Sequence, residues 1–127
     1  MYRVGGRLPL HSTGVGHVLL AFAAVADQQG YLGRRWRTEP EDVPVSCHAL
    51  RQTLAMVRRD GYATVTRAEP RPLVSVAAPI RDGTDAVVAA LSVVVPQEDE
   101  VRSLTPAVRA AARAVSRGLG SRHLGGR

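Results

Sequence analysis

Apolar residues recur along this 127-residue chain with two different periods, and the change between them divides it. From Val15, the residues Val18, Leu19 and Phe22 follow at the spacing of one helical face, with Ser12 or Thr13 placed to cap the start. A helix over Thr13 to Ala26 is predicted. The next stretch, DQQGYLGRRWRTEPEDVP, mixes turn residues with charges of both signs; it reads as a loop with room for a short helix, and Trp36 as a packing anchor. Leu50, Leu54 and Val57 then form a second helical stripe between a cap at Ser46 and a stop at Gly61. Glycine permits the left-handed conformation that ends a helix, and Arg58 and Arg59 lie at its negative end.

After Gly61 the pattern shortens into three β-rich runs, YATVTRAE, LVSVAAPI and AVVAALSVVV. The last two are separated by RDGTD, whose Asp82-Gly83 pair is a hairpin signal, so they are predicted to be antiparallel neighbours. In SLTPAVRAAARAVSRGLG the helical period returns. Thr105 is the expected cap, Pro106 the first helical residue, and Val108, Ala111, Ala112, Val115 and Leu119 the buried stripe. Arg109, Arg113 and Arg117 fall on another face and read as a solvated flank. Strands flanked by helices give an α+β class: one domain over 1–120, with a frayed tail over 121–127.

Composition narrows the function. The chain is 45% apolar, mostly alanine and valine, enough for a packed core of small side chains. A net charge of +6 raises nucleic-acid binding, but the cations are scattered and no aromatic residues interleave them as on a base-stacking surface. All 17 cations are arginine, which excludes a Schiff-base lysine and the lysine of a P-loop. The single cysteine, Cys47, rules out an intrachain disulfide or a multi-cysteine zinc site and suits a reducing compartment. No apolar stretch approaches the ~20 residues of a membrane helix. A cytoplasmic protein is expected.

The stretch GGRLPLHSTGVGHVLLAF gathers the candidate chemistry. Gly14-Val15-Gly16 at a helix start is a partial phosphate cradle, but Leu19 stands where the dinucleotide fingerprint requires its third glycine. His11 and Ser12 are adjacent, a poor arrangement for base and nucleophile, and no GxSxG elbow exists. His11, His17, Cys47 and His48 lack the spacing of a closed zinc site. No catalytic residue, metal or cofactor is assigned.

These segments in succession, with ALRQTLAMVRRDGYA, LVSVAAPIRD, VVAALSVVVP and LTPAVRAAARAVSRGLG, resemble the effector-binding domain of IclR-type bacterial transcriptional regulators over nearly the whole chain. The resemblance implies a partial GAF-like fold, an antiparallel sheet flanked by helices, that binds a small organic effector and mediates oligomerisation. It also implies a sequence that starts inside that domain and lacks the winged helix-turn-helix.

Carried over by position, Leu8 and Leu73 would be apolar walls and Gly14 and Val15 would offer backbone N–H groups to an effector carboxylate. Ser75, where some members have cysteine, and Ser92 would contribute hydroxyls. Two positions depart from the family pattern: Val65 replaces a frequent acid, and Val94 with Val95 replaces Ser-Gly. An unpaired polar group buried there costs about 1–3 kcal/mol, so the expected effector is a carboxylic acid more apolar than a small oxo-acid. The expected partners are further copies of the chain or full-length regulators, with DNA reached only through such a partner. A remnant that assembles without sensing and a basic nucleic-acid module are the alternatives.

Overall fold

The computed structural model describes residues 10, 12–33, 47–68, 72–97 and 101–122. The elements run α1 (Gly14–Ala21), α2 (Val25–Leu32), α3 (Cys47–Asp60), β1 (Ala63–Arg67), β2 (Leu73–Arg81), β3 (Val87–Pro96) and α4 (Val101–Gly118). The strands form an antiparallel sheet in the order β1-β2-β3, as the change of period predicts. The expected α+β class is observed.

Alternation along β2 sorts the core into two layers. Ala77, fully buried, faces α1 and α3, whose Val18, Ala21, Leu50, Leu54 and Val57 pack with it. Val76 and Ala78 face the other way, against Val108 and Ala112 of α4. Ser46 and Trp36 lie outside the described residues. Gly61 ends α3 at φ 82°, its N–H donating to Val57 O at 2.8 Å.

The first helix departs from expectation. It stops at Phe22, and Val25–Leu32 forms a separate α2 that begins within the predicted helix and supplies the short helix for which the following stretch has room. The cause is tertiary. Continuing α1 would commit the carbonyls of Leu20 and Ala21 to the backbone four residues on; instead Gln28 Nε2 donates to Leu20 O at 2.9 Å and Arg58 Nε to Ala21 O at 3.0 Å. The Arg81 guanidinium also lies over the Phe22 ring, 5.1 Å from its centre.

The β2–β3 turn differs as well. Asp85 N–H donates to Asp82 O at 2.9 Å, and the left-handed residue is Asp85 (φ 64°) rather than Gly83. Asp82 Oδ1 accepts from the Thr84 amide at 2.8 Å and its hydroxyl at 2.6 Å, a side-chain turn that shapes the loop. Asp85 is fixed from outside, because its Oδ1 accepts from Ser121 Oγ at 2.7 Å and from Arg122 N–H at 3.3 Å. Ser121 is buried, so the chain is held two residues into the expected tail.

Helix α4 begins at Val101, four residues before the expected cap Thr105, and Pro106 lies inside it. The missing N–H falls where Pro106 and Arg102 are both exposed, so water can satisfy the freed carbonyl. Its buried stripe is Val108, Ala112 and Ser116, while Ala111 is exposed and Val115 and Leu119 are 45% and 51% exposed. A polar residue occupies this stripe because the register shift at Ile80/Arg81 turns the Arg81 N–H to Ser116 Oγ, at 3.0 Å. Ser116 Oγ in turn donates to Ala112 O at 2.8 Å. Gly120 (φ 93°) closes the helix, with Ser121 N–H on Ser116 O and Gly120 N–H on Arg117 O, both at 3.0 Å.

Asp85→Ala removes two bonds and leaves a β-carbon in the left-handed region; it is expected to cost about 1–3 kcal/mol in urea unfolding. Asp85→Gly, which keeps the backbone geometry, should cost less. The Thr84 hydroxyl, and next the Thr84 amide, hold the Asp82 carboxyl below its usual range. A depressed folded pKa stabilises above the unfolded pKa, and the contribution is lost as pH falls through the folded value. Asp82→Ala should therefore melt below wild type at neutral pH, and the gap should close in acid.

Candidate functional site

The mouth of α1 is built by its cap. Thr13, buried and extended (φ −116°, ψ 153°), accepts the Gly16 N–H on its hydroxyl at 3.0 Å, and its carbonyl takes the His17 N–H at 2.9 Å. The amides of Gly14 and Val15 precede that first helical bond, so they are the donors a helix start leaves for other acceptors. The neighbouring Ser12 hydroxyl is buried with no hydrogen-bond partner among the described residues.

Two glycines set how closely this turn approaches its surroundings. A β-carbon on Gly14 would lie 3.0 Å from Ser75 Oγ and 3.3 Å from Ala77 Cβ, so the helix start rests directly on β2. At Gly16 a β-carbon would run into the backbone of Leu10, which crosses over the helix there. Gly16 is thus a packing glycine, not part of a phosphate cradle.

The strand register assembles the face beneath the mouth. Ala63, Ala77 and Ser92 form one row across the sheet, Val65, Ser75 and Val94 the next, and Arg67, Leu73 and Pro96 the third. Directly paired residues share a face, and Ala77 and Ser75 lie on the α1 side, under Gly14. Gly14, Leu73, Ser75, Ser92, Val65 and Val94 therefore converge on one surface, with Val15 partly buried against the adjoining core. Leu8 lies outside the described residues. The departures from the family pattern, Val65 and Val94, flank Ser75 on both sides, so its row holds a single hydroxyl. Arg67, which sequence reasoning missed, is the one ionisable side chain of the three rows. Only the pairing register could have indicated it.

This surface offers two backbone donors, two serine hydroxyls and apolar walls. A separate cleft of about 400 Å3 opens between α1 and α2, walled by Leu10, Leu19, Ala23, Ala26 and Tyr31 with Asp27 among them. None of the sequence-predicted site residues among the described ones lines it, and its polar side chains are Asp27 and Tyr31. Among the described residues no three metal-ligating side chains come together. No described helix is long and apolar enough to cross a membrane. The arginine stripe of α4 is divided, because Arg109 is partly buried 5.0 Å from the centre of the Tyr62 ring while Arg113 and Arg117 are exposed.

Gly16→Ala forces a β-carbon into backbone and is expected to cost more than about 2 kcal/mol by equilibrium unfolding. Gly14→Ala meets chiefly a serine hydroxyl, which can rotate, and should cost less.

The family model described as bacterial transcriptional regulator IclR C-terminal matches residues 1–117. The HTH-type transcriptional regulator XynR of Escherichia coli is 32% identical over 123 residues, 93% of this chain and 49% of that protein. Among solved structures, an IclR homolog from Microbacterium hydrocarbonoxydans complexed with 4-hydroxybenzoate superposes with a TM-score of 0.79 at 34% identity, over 92% of this chain and 48% of that one. The C-terminal domain of E. coli KdgR gives 0.76 at 29% identity, over 89% of this chain and 72% of that domain. The chain spans about half the length of the curated relatives it matches.

Proposed function

The chain belongs to the bacterial IclR C-terminal family, which is one of transcriptional regulators and not of enzymes, and from that membership we propose that it senses a small organic acid. The observation that carries this reading is the contact of Gly14 with Ser75, which opens the free amides of α1 onto the Val65–Ser75–Val94 row. The carboxylate lies on the Gly14 and Val15 amides, the Ser75 and Ser92 hydroxyls take a second polar group, and Leu73, Val65 and Val94 wall the remainder. With valine on both sides of Ser75, the site favours an aromatic or branched acid over a small oxo-acid, whose extra oxygens would be buried without partners. A similar structure holding 4-hydroxybenzoate supports that class of ligand.

The effector works by population shift: it stabilises one arrangement of an assembly in proportion to its differential affinity. The assembly is of further copies of this chain or of full-length regulators. Direct DNA contact is less favoured, since Arg109 of the α4 stripe is engaged with Tyr62.

Thermal unfolding with 4-hydroxybenzoate and with pyruvate tests the reading. At a hundredfold excess over Kd a ligand adds about 2.7 kcal/mol, a Tm rise of about 10 °C for a domain of this size. The aromatic acid is expected to give such a rise, pyruvate little, and Gly14→Ala and Ser75→Ala to reduce the response to the aromatic acid. A folded chain that no aromatic or branched acid stabilises would refute the sensing role.

A further inference from the structure

The start of α1 has a direction as well as a place. Gly14 rests on Ser75 and Ala77 of β2, and Phe22, just past the end of the helix, lies under the Arg81 guanidinium. Because β2 runs from Leu73 to Arg81, α1 runs along it in the same sense. Helical N–H groups point toward the N-terminus of their helix. The Gly14 and Val15 amides therefore face back along the strand, toward the row of Arg67, Leu73 and Pro96.

Spacing turns that direction into a length. Same-face neighbours on a strand are about 6.8 Å apart, so the Arg67 row lies one such step beyond the Val65–Ser75–Val94 row. A benzoate with its carboxylate at the helix mouth brings its para position to that outer row. Its ring passes over Val65, Ser75 and Val94, which offer one hydroxyl between two apolar side chains. The para substituent then meets two apolar residues, Leu73 and Pro96, and one charge, Arg67. No carboxylate stands in the three rows to rival a ligand for that charge. A guanidinium carries several N–H donors in one plane, so it can hold a ligand carboxylate while keeping a second contact.

We propose that Arg67 sets the specificity of the site by pairing with an anionic group at the end of the effector remote from its first carboxylate. The effector is then a two-ended acid, with one end on the α1 amides, the other on the guanidinium and an apolar body between. The two ends are held by different means. Backbone amides are uncharged donors fixed by the helix, and they take the carboxylate of any acid that fits. The guanidinium matches the shape and charge of a second carboxylate and disfavours a cation or a bare ring edge at the far end. This inference rests on the proposed sensing role, whose ligand class it narrows.

The test is isothermal titration calorimetry of the 127-residue chain at neutral pH with benzoate and with benzene-1,4-dicarboxylate. The dicarboxylate is expected to bind about fivefold or more tighter, the scale of one well-formed guanidinium–carboxylate pair. Arg67→Gln should abolish that preference and leave benzoate unchanged. Arg67→Lys should keep part of it, and Arg67→Glu should turn it toward 4-(aminomethyl)benzoate. Arg113→Gln removes the same charge from α4, which packs on the opposite face of the sheet, and should leave the preference intact. A dicarboxylate bound no tighter than benzoate overturns the proposal on the unaltered chain, whether or not any variant folds. So does a preference that survives Arg67→Gln, or one that Arg113→Gln lowers as much, which makes it an effect of net charge. Equal weakening of both acids by Arg67→Gln overturns it too, since the guanidinium then sits at the helix mouth. If no acid binds, sensing and this inference fall together, whereas benzoate binding without a preference removes only the second.

Discussion

Strand β2 is covered by a helical layer on each face, and the small side chains at its centre set how close those layers come. Val76 and Ala77 are fully buried on opposite sides. Ala77 lets the start of α1 descend until a β-carbon at Gly14 would lie 3.0 Å from Ser75 Oγ and 3.3 Å from Ala77 Cβ. Ala78, with Val76, gives α4 its seat through Val108 and Ala112. A larger residue at Ala77 would lift the α1 amides away from Ser75, and with them the donors available to an anion. Core packing and recognition chemistry are therefore governed by the same few side chains.

Polar groups complete what the apolar layers begin. The register shift at Ile80/Arg81 releases one strand amide, and Ser116 receives it inside a helical face that otherwise reads as apolar. Beyond that point Asp85 accepts from Ser121 and Arg122, tying the hairpin to the end of α4. Buried polar groups are stabilising when satisfied and costly when not, so these bonds fix how α4 lies along the sheet. They also hold the left-handed residue of the turn at aspartate rather than glycine.

Local chemistry was legible in the sequence wherever a residue acts on its own neighbours. The Leu50–Leu54–Val57 stripe, the stop at Gly61 and the three strands needed only periodicity and the freedom of glycine. Three features that local reading missed have partners far along the chain: the end of α1, the left-handed Asp85 and the serine in the stripe of α4; the start of α4, four residues before the expected cap Thr105, was missed as well. The candidate site divides in the same way. Gly14, Ser75 and Ser92 followed from resemblance, but that Val65 and Val94 flank the same serine, and that Arg67 shares the outer row, required the pairing register. Of the conspicuous groups in the opening motif, Thr13 is a helix cap, and Gly16 makes room for a crossing backbone.

The bend between α1 and α2 shows how conditional a local shape can be. Its two defining donors differ in reach: Gln28 lies 8 residues from its acceptor, Arg58 37 residues. Cut out as a peptide, residues 13 to 32 keep Gln28 but lose Arg58, and with it the longer-range of the two bonds at the end of α1.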